Sequence, residues 1–330
     1  MSSKIPIPDV IARNDQLDFV KGALVLTMII YHEFLNFYDH YEHIINITKY
    51  ASGGFIYLSG FIVGYHYLQN YNDQSKIGKR LLLRSAKIFF IFFVANLDHI
   101  VLAVIAQPQG TIDLLSHHFV SGTGRSRFEI LLPISYLLAF LAIASGPMKR
   151  YYRTANVLVL VMIILVDLRI LPLFVNLWGM LIGLAGLCHS LVIKDVKGRS
   201  FIKTGILCVA MAVLIGWVRL EWPWGKTMVV YILYIVTVLG SFYILANFLH
   251  PDSLCAKWVL LIGRYPLFSY LYHIIIIVLA AKIIGHKFDL LGNVIGVMLV
   301  AVFLIGSVFL LDRLRKTIPI FDRSYKLIFA

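Results

Sequence analysis

Ten apolar stretches, at about 17–37, 48–68, 84–106, 129–147, 154–171, 173–193, 201–220, 227–249, 257–281 and 290–311, leave this chain of 330 residues few architectures. Crossing a hydrocarbon core about 30 Å thick takes about 20 apolar residues at about 1.5 Å of rise each, and every stretch reaches or approaches that length. Composition agrees: 60% of the residues are apolar and 14% charged, where a soluble domain carries about 45–50% and about 25%. The expected fold class is all-α, a polytopic membrane protein forming a single bundle of about ten transmembrane helices. If the fifth and sixth stretches, parted only by a tight turn around Pro172 and Asn176, are one broken span, the count is nine. No repeat or low-complexity segment divides the chain, so one membrane-embedded domain over 1–330 is expected.

The net charge of +13 does not form a nucleic-acid-binding patch, because the basic residues sit in short clusters between apolar runs. Cytoplasmic loops retain Lys and Arg. With the N-terminus inside, 18 basic residues fall on the inner side and eight on the outer, so both termini are expected in the cytoplasm, with a polar tail over 1–16 and a basic one over 312–330. The first stretch has no small-residue cleavage site and reads as a retained helix in a multi-pass protein of the plasma (inner) membrane. Cys188, Cys208 and Cys255 lack metal or redox spacing and read as packing residues; no metal is expected.

Ionisable groups inside apolar spans are costly and call for a partner, a wet cavity or a function. The first span holds Asp18, Lys21, His32 and Glu33. Lys21 and His32 are 11 residues apart, which on a helix brings them within about 20° of one face and separates them by about 16.5 Å of rise. The third span carries Arg84 and Lys87 early, then Asp98 and His99 at about the depth of His32. Asp167 and Arg169 in the fifth span read as a structural pair, while Arg219 and Glu221 in the seventh and His273 in the ninth add polar groups toward the outer half. Together they predict a polar cavity opening outward above a basic cytoplasmic floor. Lys and Arg there suit phosphate, and a histidine higher up suits a general base near neutral pH. The rise between Lys21 and His32 is comparable to the pantetheine arm of coenzyme A.

Four segments, in order, resemble motifs of the acyltransferase-3 family of integral-membrane acyltransferases. Leu17-Asp18-Phe19-Val20-Lys21-Gly22, followed by His32, is similar to the family's Leu-Asp-x-x-Arg-Gly and its histidine eleven residues after the arginine. Gly53-Gly54-Phe55-Ile56-Tyr57-Leu58-Ser59-Gly60-Phe61 resembles a Phe-Phe-x-Leu-Ser-Gly-Phe segment, and Arg84-Ser85-Ala86-Lys87 a paired-basic Arg-x-x-Arg. The run from Gly263-Arg264-Tyr265-Pro266 to Tyr272-His273 is similar to a late helix ending Tyr-Leu-x-His. Lys21 and Lys87 stand where the family has arginine, a point charge for a planar fork.

The resemblance implies about ten helices, acyl-CoA (acetyl-CoA by default, succinyl in one glucan-modifying subgroup) reached from the cytoplasm, and an extracytoplasmic glycan or glycolipid hydroxyl as acceptor. It also implies His32 as the catalytic histidine and Lys21, Arg84 and Lys87 as residues that hold the donor's phosphates or organise the pore floor. By triad logic Asp98 or another outer-half acid would orient the His32 ring. Ser59, Arg264 and the polar residues above are further pore candidates. Trp222 and Trp224 are candidates for stacking on sugar rings, or members of an interfacial aromatic belt, and the connection 107–127, with His117 and His118, is long enough to gate the cavity. Membrane lipids are the remaining expected partner. The rival readings are a transporter or flippase, which also needs intramembrane polar groups, a transferase acting on a lipid or small molecule, and an idle scaffold.

Overall fold

The computed structural model describes residues 14–37, 42–69, 73–106, 116, 119, 128–171, 174–192, 201–221, 227–249, 253–284 and 290–329. In chain order the helices are α1 (Asp15–Phe37), α2 (Glu42–Thr48), α3 (Tyr50–Ile62), α4 (Gln74–Ala95), α5 (Leu97–Ala106), α6 (Leu131–Arg150) and α7 (Tyr152–Asp167). There follow α8 (Val175–Val192), α9 (Phe201–Glu221), α10 (Met228–Phe248), α11 (Leu254–Arg264), α12 (Pro266–Ile284), α13 (Leu290–Thr317) and α14 (Pro319–Phe329). No strand occurs among the described residues. Five helices, α6, α8, α10, α12 and α13, are long and apolar enough to cross a membrane. Helices also occupy the other five apolar stretches.

Large apolar side chains face outward along these helices, for example Val157, Leu158 and Leu160 on α7 and Met298, Val302 and Phe303 on α13. Water would not tolerate an apolar surface so extensive, whereas lipid does. Together with the five long apolar helices, this surface marks a membrane protein.

Helix starts are fixed by side chains that accept hydrogen bonds from backbone N–H groups with no helical partner. Asn14 Oδ1 accepts from Leu17 N at 3.0 Å, Asp73 Oδ1 from Lys76 N at 3.2 Å and Ser253 Oγ from Ala256 N at 3.3 Å. The start of α10 is capped twice: Thr227 Oγ1 accepts from Val230 N, and the Asp167 carboxylate accepts from Met228 N at 2.6 Å and Val229 N at 3.1 Å. Asp167 therefore does not make the expected pair with Arg169. Its carboxylate is drawn to the positive end of a helix, and Arg169, with φ 59°, turns the chain out of α7.

α1 lies at the centre, packed against α3, α10, α11, α12 and α13. Small residues let the backbones approach. A Cβ at Gly22 would collide with the Val259 carbonyl, one at Gly263 with the Asp18 carbonyl, and one at Gly60 with the Gly183 carbonyl. Without a hydrophobic drive between helices in lipid, close van der Waals packing of this kind holds them together. A second block is formed by α4 on α6, α6 on α8, and α8 on α3. At the α4–α6 contact, Ser85 Oγ donates to the Ser135 carbonyl at 2.8 Å and Ser135 Oγ to the Ser85 carbonyl at 3.1 Å.

Three expectations about spans change. The third stretch begins earlier and is broken at Asn96, whose side-chain amide donates to the Phe92 carbonyl at 2.9 Å, so α4 ends there and α5 starts at Leu97. The ninth is broken at Tyr265 into α11 and α12. The presumed tail is ordered: α13 runs to Thr317 and α14 folds back from Pro319. There Arg315 donates from Nε and a terminal nitrogen to Asp322 Oδ1 at 2.9 and 2.7 Å and lies over the Tyr325 and Tyr265 rings at 4.1 and 5.2 Å.

Candidate functional site

α1 is unbroken from Asp15 to Phe37, so the geometry read from its sequence holds: His32 stands about 16.5 Å of helical rise beyond Lys21. The ring does not face lipid. It meets His273 of α12, with ring centroids 5.5 Å apart, and Tyr31 packs edge-on against it at 4.9 Å. His273 is wholly buried and is also 5.7 Å from the Tyr270 ring. Its Nδ1–H donates to the Ser269 carbonyl at 3.0 Å. A carbonyl only accepts, so the neutral His273 ring carries its lone pair on Nε2. The Nε2 atoms of His32 and His273 are both buried, and neither has a hydrogen-bond partner among the described residues. Two imidazoles, 241 positions apart in sequence, thus meet with Nε2 atoms that have no partner among the described residues, and that of His273 carries a lone pair.

Glu33, next to His32 in sequence, is 3% exposed. Its Oε1 lies where a Cβ on Gly296 of α13 would have to sit, and its Oε2 has no partner among the described residues. Nearby, Asn293 Nδ2 donates to the Phe37 carbonyl at 3.4 Å. Phe128, next to Glu129, packs edge-on against Tyr270 at 6.0 Å, and Glu129 is within electrostatic reach of Tyr31 and Tyr270.

Lower on α1, Lys21 and Asp18 form an ion pair. Both lie within electrostatic reach of His66, in the π-helical segment Val63–Leu68 that continues α3. A fourth histidine, His189 of α8, is hydrogen-bonded through Nδ1 to the Tyr57 hydroxyl and edge-on to Phe61 at 5.8 Å. The reading of the sequence passed over His66, His189, Tyr57, Glu129 and Tyr270. The two histidines carried a usable signal, an imidazole inside an apolar run; the tyrosines and Glu129 acquire interest only from their neighbours in space.

Other expected site residues fall elsewhere. Asp98 is exposed in the first turn of α5 and is not among the partners of His32. The break at Asn96 removes it, and His273 stands by the ring instead. Arg84 and Lys87 are on α4, which does not pack as a pair with α1, so they do not join Lys21 in one cluster. Burial of Ser85 against α6 turns Arg84 to the exposed side, while Lys87 Nζ donates to the Lys326 carbonyl of α14 at 3.0 Å. Ser59 Oγ donates to its own helix, to the Phe55 carbonyl at 2.8 Å. Arg264 is exposed at the end of α11. Trp222, Trp224, His117 and His118 lie outside the described residues, as do the side chains of His99, Arg219 and Glu221.

Two cavities lined by described residues are apolar and lie along α4; His32 lines neither. The outward-opening polar cavity is thus not among them. No group of three or more metal-ligating side chains occurs among the described residues. Compared with protein-family models, curated proteins and solved structures, the chain matches none.

Proposed function

We propose that the chain is a ten-span plasma-membrane acyltransferase with both termini in the cytoplasm. It would move an acyl group from cytoplasmic acyl-CoA to a hydroxyl of an extracytoplasmic glycan or glycolipid. The supporting observation is the His32–His273 pair, two imidazoles 5.5 Å apart in the bundle interior with buried, partnerless Nε2 atoms. The His273 atom is stabilised when a proton donor reaches it, the His32 atom likewise when its proton sits on Nδ1, and an acceptor hydroxyl is such a donor.

In the proposed step the acceptor O–H gives its proton to the His32 ring as its oxygen attacks the thioester carbonyl. The new C–O bond forms, the C–S bond breaks, and the departing thiolate takes the proton back, leaving an ester and coenzyme A. His273 faces His32 and shapes its surroundings. Lys21, paired with Asp18 and near His66, is the cation of the donor's path on α1. The test is release of coenzyme A by the purified chain in proteoliposomes from acetyl-, succinyl- and longer acyl-CoA, with and without glycan acceptor. Acceptor-dependent release from at least one donor is expected; no turnover of any would contradict the proposal.

A second reading, a proton-coupled carrier, draws on Glu33. A buried carboxylate whose Oε2 has no partner among the described residues, on the helix that carries His32, is also what a proton relay requires. Movement of glycan across the vesicle membrane without donor turnover would favour it.

A further inference from the structure

We infer that the flank of α4, α12 and α14 is a binding site for an anionic phospholipid of the cytoplasmic leaflet, with the phosphate at Lys87 and Arg84 and one acyl chain laid between α4 and α12. A cavity of about 770 Å³ lies there. Its walls include Phe90 and Val94 of α4 and Leu271, Ile275 and Leu279 of α12, and residues 327–329 of α14 close one end. Phe90, Val94, Ile275 and Leu279 are all exposed, so the groove opens sideways toward lipid and not toward the histidine pair.

Among the described residues that line it, the groove is charged at its ends, by Lys87 and Lys282. From Leu271 to Lys282 it follows about 16 Å of helical rise, close to half of a core about 30 Å thick. That length suits the chain of a lipid from one leaflet, with a headgroup at one end only. The Lys87 end is the better anion site. Arg84 is one turn away on α4 and exposed, with no partner among the described residues. α14 is bonded to Lys87 through the Lys326 carbonyl, and its exposed residues include Arg323 and Lys326, the latter paired with Asp322. Lys282 is the basic residue of the last turn of α12 among the described residues. Phosphodiester is the anion that a bilayer offers beside such a chain, and clustered cations at a cytoplasmic helix edge bind it by charge-assisted hydrogen bonds.

The test uses the full chain in nanodiscs of neutral phosphatidylcholine doped with phosphatidylglycerol bearing a photoreactive diazirine midway along one chain. Labelled peptides are mapped by mass spectrometry. Labelling is expected to concentrate on 90–95 of α4 and 271–279 of α12, and to fall by about fivefold for each cation removed in Arg84→Gln and Lys87→Gln. Lys282→Gln should leave it within about twofold. Val94→Trp, which fills the groove and keeps both cations, should also reduce it. Three results would overturn the inference: equal labelling of the exposed face of α7, equal labelling by a phosphatidylcholine probe, or displacement of the probe by palmitoyl-CoA but not by unlabelled phosphatidylglycerol. The last would assign the groove to a thioester.

Discussion

At His273 the protonation pattern follows from one hydrogen bond: with Nδ1–H given to the Ser269 carbonyl, Nε2 is left as an acceptor pointed into the bundle. His32 has no such anchor, and its ring is held by Tyr31 and His273 alone among the described residues. Glycines beside these helices are as constrained as the histidines. Alanine at Gly60 or Gly263 would drive a methyl group into a carbonyl of the facing helix, and overpacking of this kind costs about 1–3 kcal/mol. Thermal unfolding in detergent should therefore shift downward for Gly60→Ala and Gly263→Ala, and stay within error for Gly306→Ala, where a Cβ meets nothing within 4 Å. The resemblance motifs become partly intelligible in this light. Gly22, Gly60 and Gly263 are places where helices touch, and Ser59 bonds within its own helix. The 11-residue spacing of Lys21 and His32 was legible because a helix has a fixed pitch; their distant partners were not, because nothing in sequence links position 32 to position 273.

Among the elements, α14 is where charge and packing are most tightly joined. The Asp322 carboxyl is held below its ordinary range first by Lys326, at 2.6 Å, and then by Arg315. A carboxyl depressed in the folded state contributes its stabilisation above the unfolded value, near 3.9, and loses it as pH falls through the folded value. Limited proteolysis at the C-terminal helix should thus accelerate as pH drops below about 4, and Asp322→Asn should accelerate it already at neutral pH; indifference to both would mean that the cluster does not hold α14. The Asp167 cap offers a second check. Losing an N-cap costs about 1 kcal/mol, so Asp167→Ala should destabilise the chain by that order, whereas Arg169→Gly should not. Neither α14 nor this cap could be read in advance. The former looked like a basic tail, since an 11-residue amphipathic helix is too short for a span, and the latter looked like a local ion pair because Arg169 is two residues away. Helix breaks at Asn96 and Tyr265 escaped notice for a related reason: hydropathy averages over a turn, and a break needs only one residue.

Taken as a whole, the molecule puts its central helix, α1, between two sets of partners and turns broad apolar faces outward. The count of basic residues predicts an orientation for that bundle, and it can be checked directly in a background lacking native cysteines. A Ser75→Cys variant should react with an impermeant maleimide only in everted vesicles, and a Lys49→Cys variant only in right-side-out ones; the reverse pattern would invert the path proposed for the donor. The most direct measurement of the transfer proposal is acceptor-dependent release of coenzyme A by reconstituted wild-type and His32→Ala protein, matched for thermal stability. Loss of general-base catalysis predicts a rate lower by about 10²–10⁴-fold in the variant. An undiminished rate in His32→Ala would contradict it.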